Sequence, residues 1–184
     1  KNNFDAAEKI FNKLYSVLPI DMLKDNSLEL IEIAIKSNKM QNKLIRGDYE
    51  DAFIIATELY RRHKGNDKIL DMYLHCGNIY MQNLGLNGET DKLIEVADSM
   101  FTNAPGIKSV ESNYVLSCIQ AVVNTGLYRT NPNKSKEILF TANKKLPNNE
   151  GITSTIGYLY HEMAMAEIRN RNYKKAIDIL NEGL

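Results

Sequence analysis

Arg171-Asn172-Tyr173-Lys174-Lys175-Ala176-Ile177-Asp178-Ile179-Leu180, with the helical run Gly157 to Arg169 in front of it, organises the whole chain. It reads as a helix, a tight turn and a second helix. The second half recurs as Asn3-Phe4-Asp5-Ala6-Ala7-Glu8-Lys9-Ile10-Phe11 and as Gly47-Asp48-Tyr49-Glu50-Asp51-Ala52-Phe53-Ile54-Ile55-Ala56. A repeated helix pair cannot bury its apolar face alone. Recurrence therefore implies that neighbours stack into a solenoid whose product is a continuous curved surface. Such a surface suits binding.

Working outward, Asn3 to Leu18 carries Phe4, Ala7, Phe11, Leu14 and Tyr15 at helical spacing, and Pro19 ends it. Ser27 is placed to cap a second helix. Its apolar set from Leu28 to Ile35 gives way to the polar run Lys36 to Lys43, so its middle is wet. Gly47-Asp48 makes a turn, with Asp48 as the expected N-cap of a third helix. Arg61, Arg62, His63 and Lys64 then suit the negative end of that helix's dipole before Gly65-Asn66 stops it. Asp67 to Leu84 follows, with Gly77 mid-helix. A glycine there costs about 1 kcal/mol against Ala and is usually retained where a neighbouring helix approaches closely. The remaining helices span Glu89 to Asn103, Ile107 to Leu127, Asn133 to Lys145, Ile152 to Arg169 and Tyr173 to Leu184. Extended loops are expected at Gly85 to Gly88 and Tyr128 to Pro132.

The register is steady. Ala52 to Leu93 is 41 positions, Leu93 to Ser135 is 42, Ser135 to Ala176 is 41, and Pro105 to Pro147 is 42. The expected fold is all-α, a right-handed superhelix of nine helices in one domain. A half repeat at 1–19 precedes hairpin units at 27–66, 67–106, 107–147 and 151–184. The chain opens at Lys1 inside what reads as a second helix and closes at Leu184 inside another, so a fragment of a longer protein is expected.

These residues resemble the tetratricopeptide repeat family, in which a small residue of the first helix meets an alanine of the second, an aromatic opens the second helix and a proline follows it. Ala164, Ala176 and Tyr173 fit that pattern in the last unit. Gly77, Tyr80, Ala97 and Pro105 fit it in the second, Tyr49 and Ala52 in the first, and Phe4, Ala7 and Pro19 in the leading half. The third unit has Ser135 where alanine is expected. The resemblance covers nearly the whole chain. The period exceeds the 34 residues of that family, and HEAT-like arrays share a period near 40, so they stand as the alternative architecture.

The resemblance implies a groove lined by the first helices of each pair. On the earlier helices its residues here are Ser37, Gln41, Asp71, Leu74, Asn78, Met81 and Gln82; on the later ones they are Ser112, Val115, Ile119, Tyr158, His161, Met165 and Arg169. The lining is mixed. Of the lysine- and asparagine-rich clamp with which family members grip chaperone carboxylates, only Asn78 and Arg169 have counterparts, and chaperone binding is not carried over. The function expected is a scaffold holding a peptide, a partner domain or a flanking domain of the same chain. The alternative is a sensor or regulatory segment of a longer bacterial signalling or transcription-regulatory protein, and an enzyme is the least favoured reading.

Composition supports that ranking. In 184 residues Lys+Arg and Asp+Glu balance at 23 each, leaving no long-range field to draw in nucleic acid or an anionic membrane. No stretch approaches the roughly 18 consecutive apolar residues of a membrane helix, so a soluble segment is expected; its compartment is left open, with the cytoplasm favoured over the periplasm. Neither Cys76 nor Cys118 fixes the redox compartment; both read as packing thiols. His63, His75 and His161 lie on different repeats without metal-ligand spacing and read as surface or groove residues, so no metal or cofactor is expected. Gly85-Leu86-Asn87-Gly88-Glu89 lacks the strand and the Lys-Ser/Thr end of a phosphate loop and reads as a turn. Glu29 with Glu32, and Asp67 with Asp71, read as solvated helix faces. The tyrosines of the first helices, Tyr73, Tyr80, Tyr114, Tyr158 and Tyr160, read chiefly as packing between repeats.

Overall fold

The computed structural model describes residues 4–17 and 26–183, and every regular element among them is helical. Asn3, Leu18 and Pro19 lie outside the described residues, as do the side chains of Phe4 and Tyr15. The chain divides into two compact units, residues 1–80 and 81–184.

The first unit holds α1 (Phe4–Val17), α2 (Asn26–Arg46), α3 (Tyr49–Arg62) and α4 (Asp67–Asn87) as far as Tyr80. Ser27 lies inside α2 rather than at its cap. The Asp48 side chain makes no capping bond and instead pairs with Lys43 at 3.2 Å. Phe53 and Tyr60 of α3 stack on Tyr73 of α4, with ring centroids 5.6 and 4.8 Å away. Offset aromatic pairs of this kind add roughly 0.5–1.5 kcal/mol beyond the area they bury.

The second unit holds the end of α4, α5 (Thr90–Asn103), α6 (Lys108–Ile119), a π-helical turn (Gln120–Asn124), α7 (Leu127–Thr130), α8 (Pro132–Lys145), α9 (Glu150–Arg169) and α10 (Tyr173–Glu182). Side-chain oxygens of Asn131 and Asn149 accept from the amides of Lys134 and Ile152, capping α8 and α9. Among the described residues ten α-helices therefore stand where nine were expected, and the addition is α7, inside the stretch read as a loop. The other expected loop is also helical. α4 continues through Gly85 to Asn87, and the Gln120 carboxamide occupies the space that a Cβ at Gly85 would take.

The 41–42-residue period is physical as well as sequential. Ala52, Leu93, Ser135 and Ala176 are all buried, as are Leu59, Met100 and Ala142, and as are Ile69, Val110 and Ile152. The turns repeat too. Gly47 donates to Leu44 and Asp48 to Lys43; Gly88 donates to Gly85 and Glu89 to Leu84; Arg171 donates to Ile168 and Asn172 to Glu167. Each is a helix C-terminus closed by paired 5→2 and 6→1 backbone bonds around a left-handed residue, a conformation that costs glycine little. Gly47 has φ +81°, Gly88 +72° and Arg171 +61°. The α6–α8 connection departs from this pattern. There Thr125 donates five residues back to Gln120, and Gly126 turns the chain into α7.

The register also breaks in α2. Counting back in steps of 41 leads from Tyr114 to Tyr73 to Glu32, and from Cys118 to Gly77 to Lys36. Both are buried. An inward column that is aromatic and small elsewhere is ionic here, which is what the wet middle of the second helix encodes.

Candidate functional site

The expected groove residues divide by burial. In the first unit Gln41 and Asp71 are exposed and Leu74 and Asn78 half-buried, while Ser37 is half-buried with its hydroxyl 3.7 Å from the Met72 sulfur. In the second unit Gln82, Ser112, Tyr158, His161 and Arg169 are exposed and Met165 and Ile119 half-buried. Met81 and Val115 are core residues. The Met81 sulfur accepts the Ser117 hydroxyl at 3.4 Å, and Val115 packs with Ile119 against Gly151 of α9. Tyr158, His161, Met165 and Arg169 fall on one face of α9 by their helical spacing. Leu116 of α6, exposed and one turn from Ser112, is the surface residue that sequence reasoning missed. Its signal was available, as an apolar side chain on a first helix outside the buried register.

α7 packs onto that face of α9. Tyr128 is buried edge-on against Tyr158, with centroids 5.4 Å apart and hydroxyls 3.3 Å apart. Arg129 lies 4.9 Å over the Tyr128 ring and 4.0 Å from Glu162. The segment expected as an extended loop thus touches its own chain. The Tyr128 hydroxyl bond holds the Tyr158 phenol above its ordinary pKa.

In the first unit, α2 and the end of α3 enclose a polar cleft of about 650 Å³ lined by Glu29, Glu32, Arg62, His63, Lys64, Gly65 and Asn66. Glu32 is the hub and is not a solvated face. It meets Arg62 at 2.6 Å and Lys36 at 3.4 Å, and Lys36 also reaches Glu58 at 3.2 Å. His63 is no surface residue either. Its Nδ1 is 3.0 Å from Glu29, while its buried Nε2 has no hydrogen-bond partner and lies 3.8 Å from Glu32. The arrangement neutralises buried charge.

In the second unit a cleft of about 390 Å³ lies among α5, α6 and α8, with Asp98, Tyr114, Ile138 and Thr141 in its wall. Lys145 meets Asp98 at 2.5 Å and lies 5.0 Å over the Tyr114 ring. Burial pushes the Tyr114 phenol well up, and pushes the Cys118 thiol up to about 12. Cys76, in the first unit, is raised by burial to about 11. Both cysteines are free, buried and protonated, the opposite of an activated nucleophile. Among the described residues no group of three His, Cys, Asp or Glu side chains is placed to hold a metal ion, and no helix is long and apolar enough to cross a membrane.

Compared with protein-family models, with curated proteins and with solved structures, the chain gives no match.

Proposed function

We propose that the chain is a protein-interaction scaffold, a tetratricopeptide-like right-handed solenoid that grips a peptide or partner domain on the outward faces of its first helices. The observation that carries this reading is the contrast between a buried register held at 41–42 positions and the uncommitted side chains beside it. Leu116 and Ser112 on α6, and His161 on α9, are exposed while their neighbours Tyr114, Cys118, Leu159 and Tyr160 are buried. A repeated core with a freely varied outer face is the arrangement by which extended peptides and helices are recognised. Buried thiols whose pKa values are raised weigh against a cysteine nucleophile.

A second reading, a regulatory segment of a longer bacterial signalling protein, is favoured by the α7–α9 contact. A short helix held on α9 by the Tyr128–Tyr158 pair and the Arg129–Glu162 ion pair has the character of an element whose position a ligand could bias. Selection of a displayed peptide library on the chain tests the principal reading. Binders are expected, and they should lose affinity for Leu116→Glu and His161→Glu, both exposed positions where folding is unaffected. Binders indifferent to both changes, or none at all, would count against it. Slower hydrogen exchange of the α7 amides with such a binder present would sharpen the regulatory reading, and faster exchange would show displacement.

A further inference from the structure

One tetrapeptide pattern takes two conformations in the second unit. Asn83-Leu84-Gly85-Leu86 and Asn124-Thr125-Gly126-Leu127 share Asn-x-Gly-Leu and lie 41 positions apart, in register with the buried pairs Tyr73 and Tyr114, and Met81 and Val122. In α4 the pattern is continuous α-helix, which runs on to Asn87. After α6 it is broken. Gln120 to Asn124 form the π-helical turn, Gly126 stands at φ +71°, and Leu127 opens α7. The shared pattern therefore does not dictate the break.

One extra residue accounts for it. Asn66 and Glu89, which precede α4 and α5, are 23 positions apart, as are Asn149 and Asn172 before α9 and α10; Ile107 and Asn131, before α6 and α8, are 24 apart. The spacing from α4 to α6 holds at 41 as far as Val122, yet Glu89 to Asn131 is 42, so the added residue lies between Val122 and Asn131. A π turn closes five residues back instead of four and so stores one residue, and Thr125 makes that bond to Gln120. The last turn is then thrown sideways at Gly126. α7 lands on α9 with Tyr128 against Tyr158 and Arg129 beside Glu162.

We propose that α6 and α7 form a two-state gate over the outward face of α9. In the closed state, which the structure shows, the extra residue sits in the π turn and α7 covers Tyr158. In the open state it sits in the turn before Asn131, and the helix runs straight through Leu127 as α4 runs through Leu86. Gly126 serves both states. It bears the left-handed angle in the closed one, and in the open one it takes the register of Gly85, where the Gln120 carboxamide fills the space of a Cβ. Leu127 and Tyr128 then take the register of Leu86 and Asn87, which are both exposed, so Tyr128 leaves its buried place on Tyr158. What holds the gate shut is one aromatic pair and one ion pair at 4.0 Å, few enough contacts for the two states to lie close in energy. The gate rests on the regulatory reading for its use: a partner that needs the α9 face at Tyr158 binds the open state and shifts the population towards it.

NMR relaxation dispersion on the free 184-residue chain reads the gate directly. Microsecond-to-millisecond exchange is expected at the amides of residues 120–131 and around Tyr158, with minor-state Cα shifts at Gly126 and Leu127 that are helical. Tyr158→Ala removes the closing aromatic pair and should raise the minor population about fivefold. Deletion of Thr130 takes out the extra residue and should make the straight helix the ground state, with helical Cα shifts from Asn124 to Leu127. Flat profiles over residues 120–131 in both wild type and Tyr158→Ala overturn the proposal. So does a minor state that is not helical at Gly126, a population that Tyr158→Ala does not raise, or a folded deletion variant in which Gly126 stays left-handed. If the deletion variant fails to fold, the minor-state shifts and the Tyr158→Ala population decide. No partner enters the measurement, so a failed peptide selection would leave the gate standing, and a rigid α7 would leave the scaffold reading untouched.

Discussion

The inward column of α2 and that of α6 occupy the same place in the repeat and are built from opposite materials. α6 offers Tyr114 and Cys118; α2 offers Glu32 and Lys36. Repeat proteins are stabilised by near-neighbour contacts, so one unit can substitute charge for bulk without disturbing the next. The difference lies in what each column tolerates. An apolar column loses area smoothly when trimmed, whereas an ionic one fails when a single member is removed, because the remaining charges stay buried and unpaired.

That comparison is broken most directly at Glu32. Glu32→Ala removes the buried carboxylate that Lys36 and Arg62 share, leaving Lys36 with Glu58 and His63 with Glu29, and is expected to cost about 1.5–3 kcal/mol in urea titration. The double change Glu32→Leu with Lys36→Ala is expected to recover that loss, since replacing a buried pair by apolar groups is often neutral or stabilising. A double variant as unstable as the single one would show that the cluster is needed for packing as well as for charge balance. On the apolar side, Ser135 is the buried irregularity. It occupies the register of Ala52 and Ala176, and its hydroxyl has no hydrogen-bond partner. Ser135→Ala should stabilise the protein by about 1 kcal/mol, seen as a higher urea midpoint at unchanged m.

Smaller again is the turn before α10. Arg171 holds φ +61° where Gly47 and Gly88 serve in the corresponding turns, and Arg171→Gly should raise stability by about 0.5–1 kcal/mol, removing the steric cost of a side chain in the left-handed region. The slightest effect is electrostatic. Lys136 at 2.8 Å and the Tyr160 hydroxyl at 2.9 Å hold the Glu182 carboxyl below its ordinary range. With the folded value depressed, this contribution is present above about pH 4.3, the ordinary carboxylate value, and disappears as pH falls through the folded one. The Tm of wild type and of Glu182→Gln, followed from pH 7 to pH 2, should therefore differ at neutral pH and converge in acid.

The period was legible because it is written in size. Ala52, Leu93, Ser135 and Ala176 must fit a close helix contact, and Leu59, Met100 and Ala142 fill the next layer, so spacing alone carries the information. α7 was not legible, since four residues give no periodicity and a nearby Asn-Pro is an ordinary turn signal. The reach of α4 through Gly85 was hidden for a different reason. Glycine reads as a breaker unless the crossing partner, here Gln120, is known. The same holds for Glu32 and His63. Their polarity was visible in the sequence, but their burial depends on α3 folding back upon α2. Of the residues that the resemblance placed in a groove, Tyr158, His161 and Arg169 are exposed on α9, whereas Met81 and Val115 are core.

The two buried cysteines carry a consequence of another kind. Cys76 belongs to the first unit and Cys118 to the second, and each thiol is shielded from reagents until its surroundings open. An alkylating agent added to the native protein would accordingly keep two separate clocks, one for each half of the molecule, and their ratio would report whether the halves come apart together or one at a time.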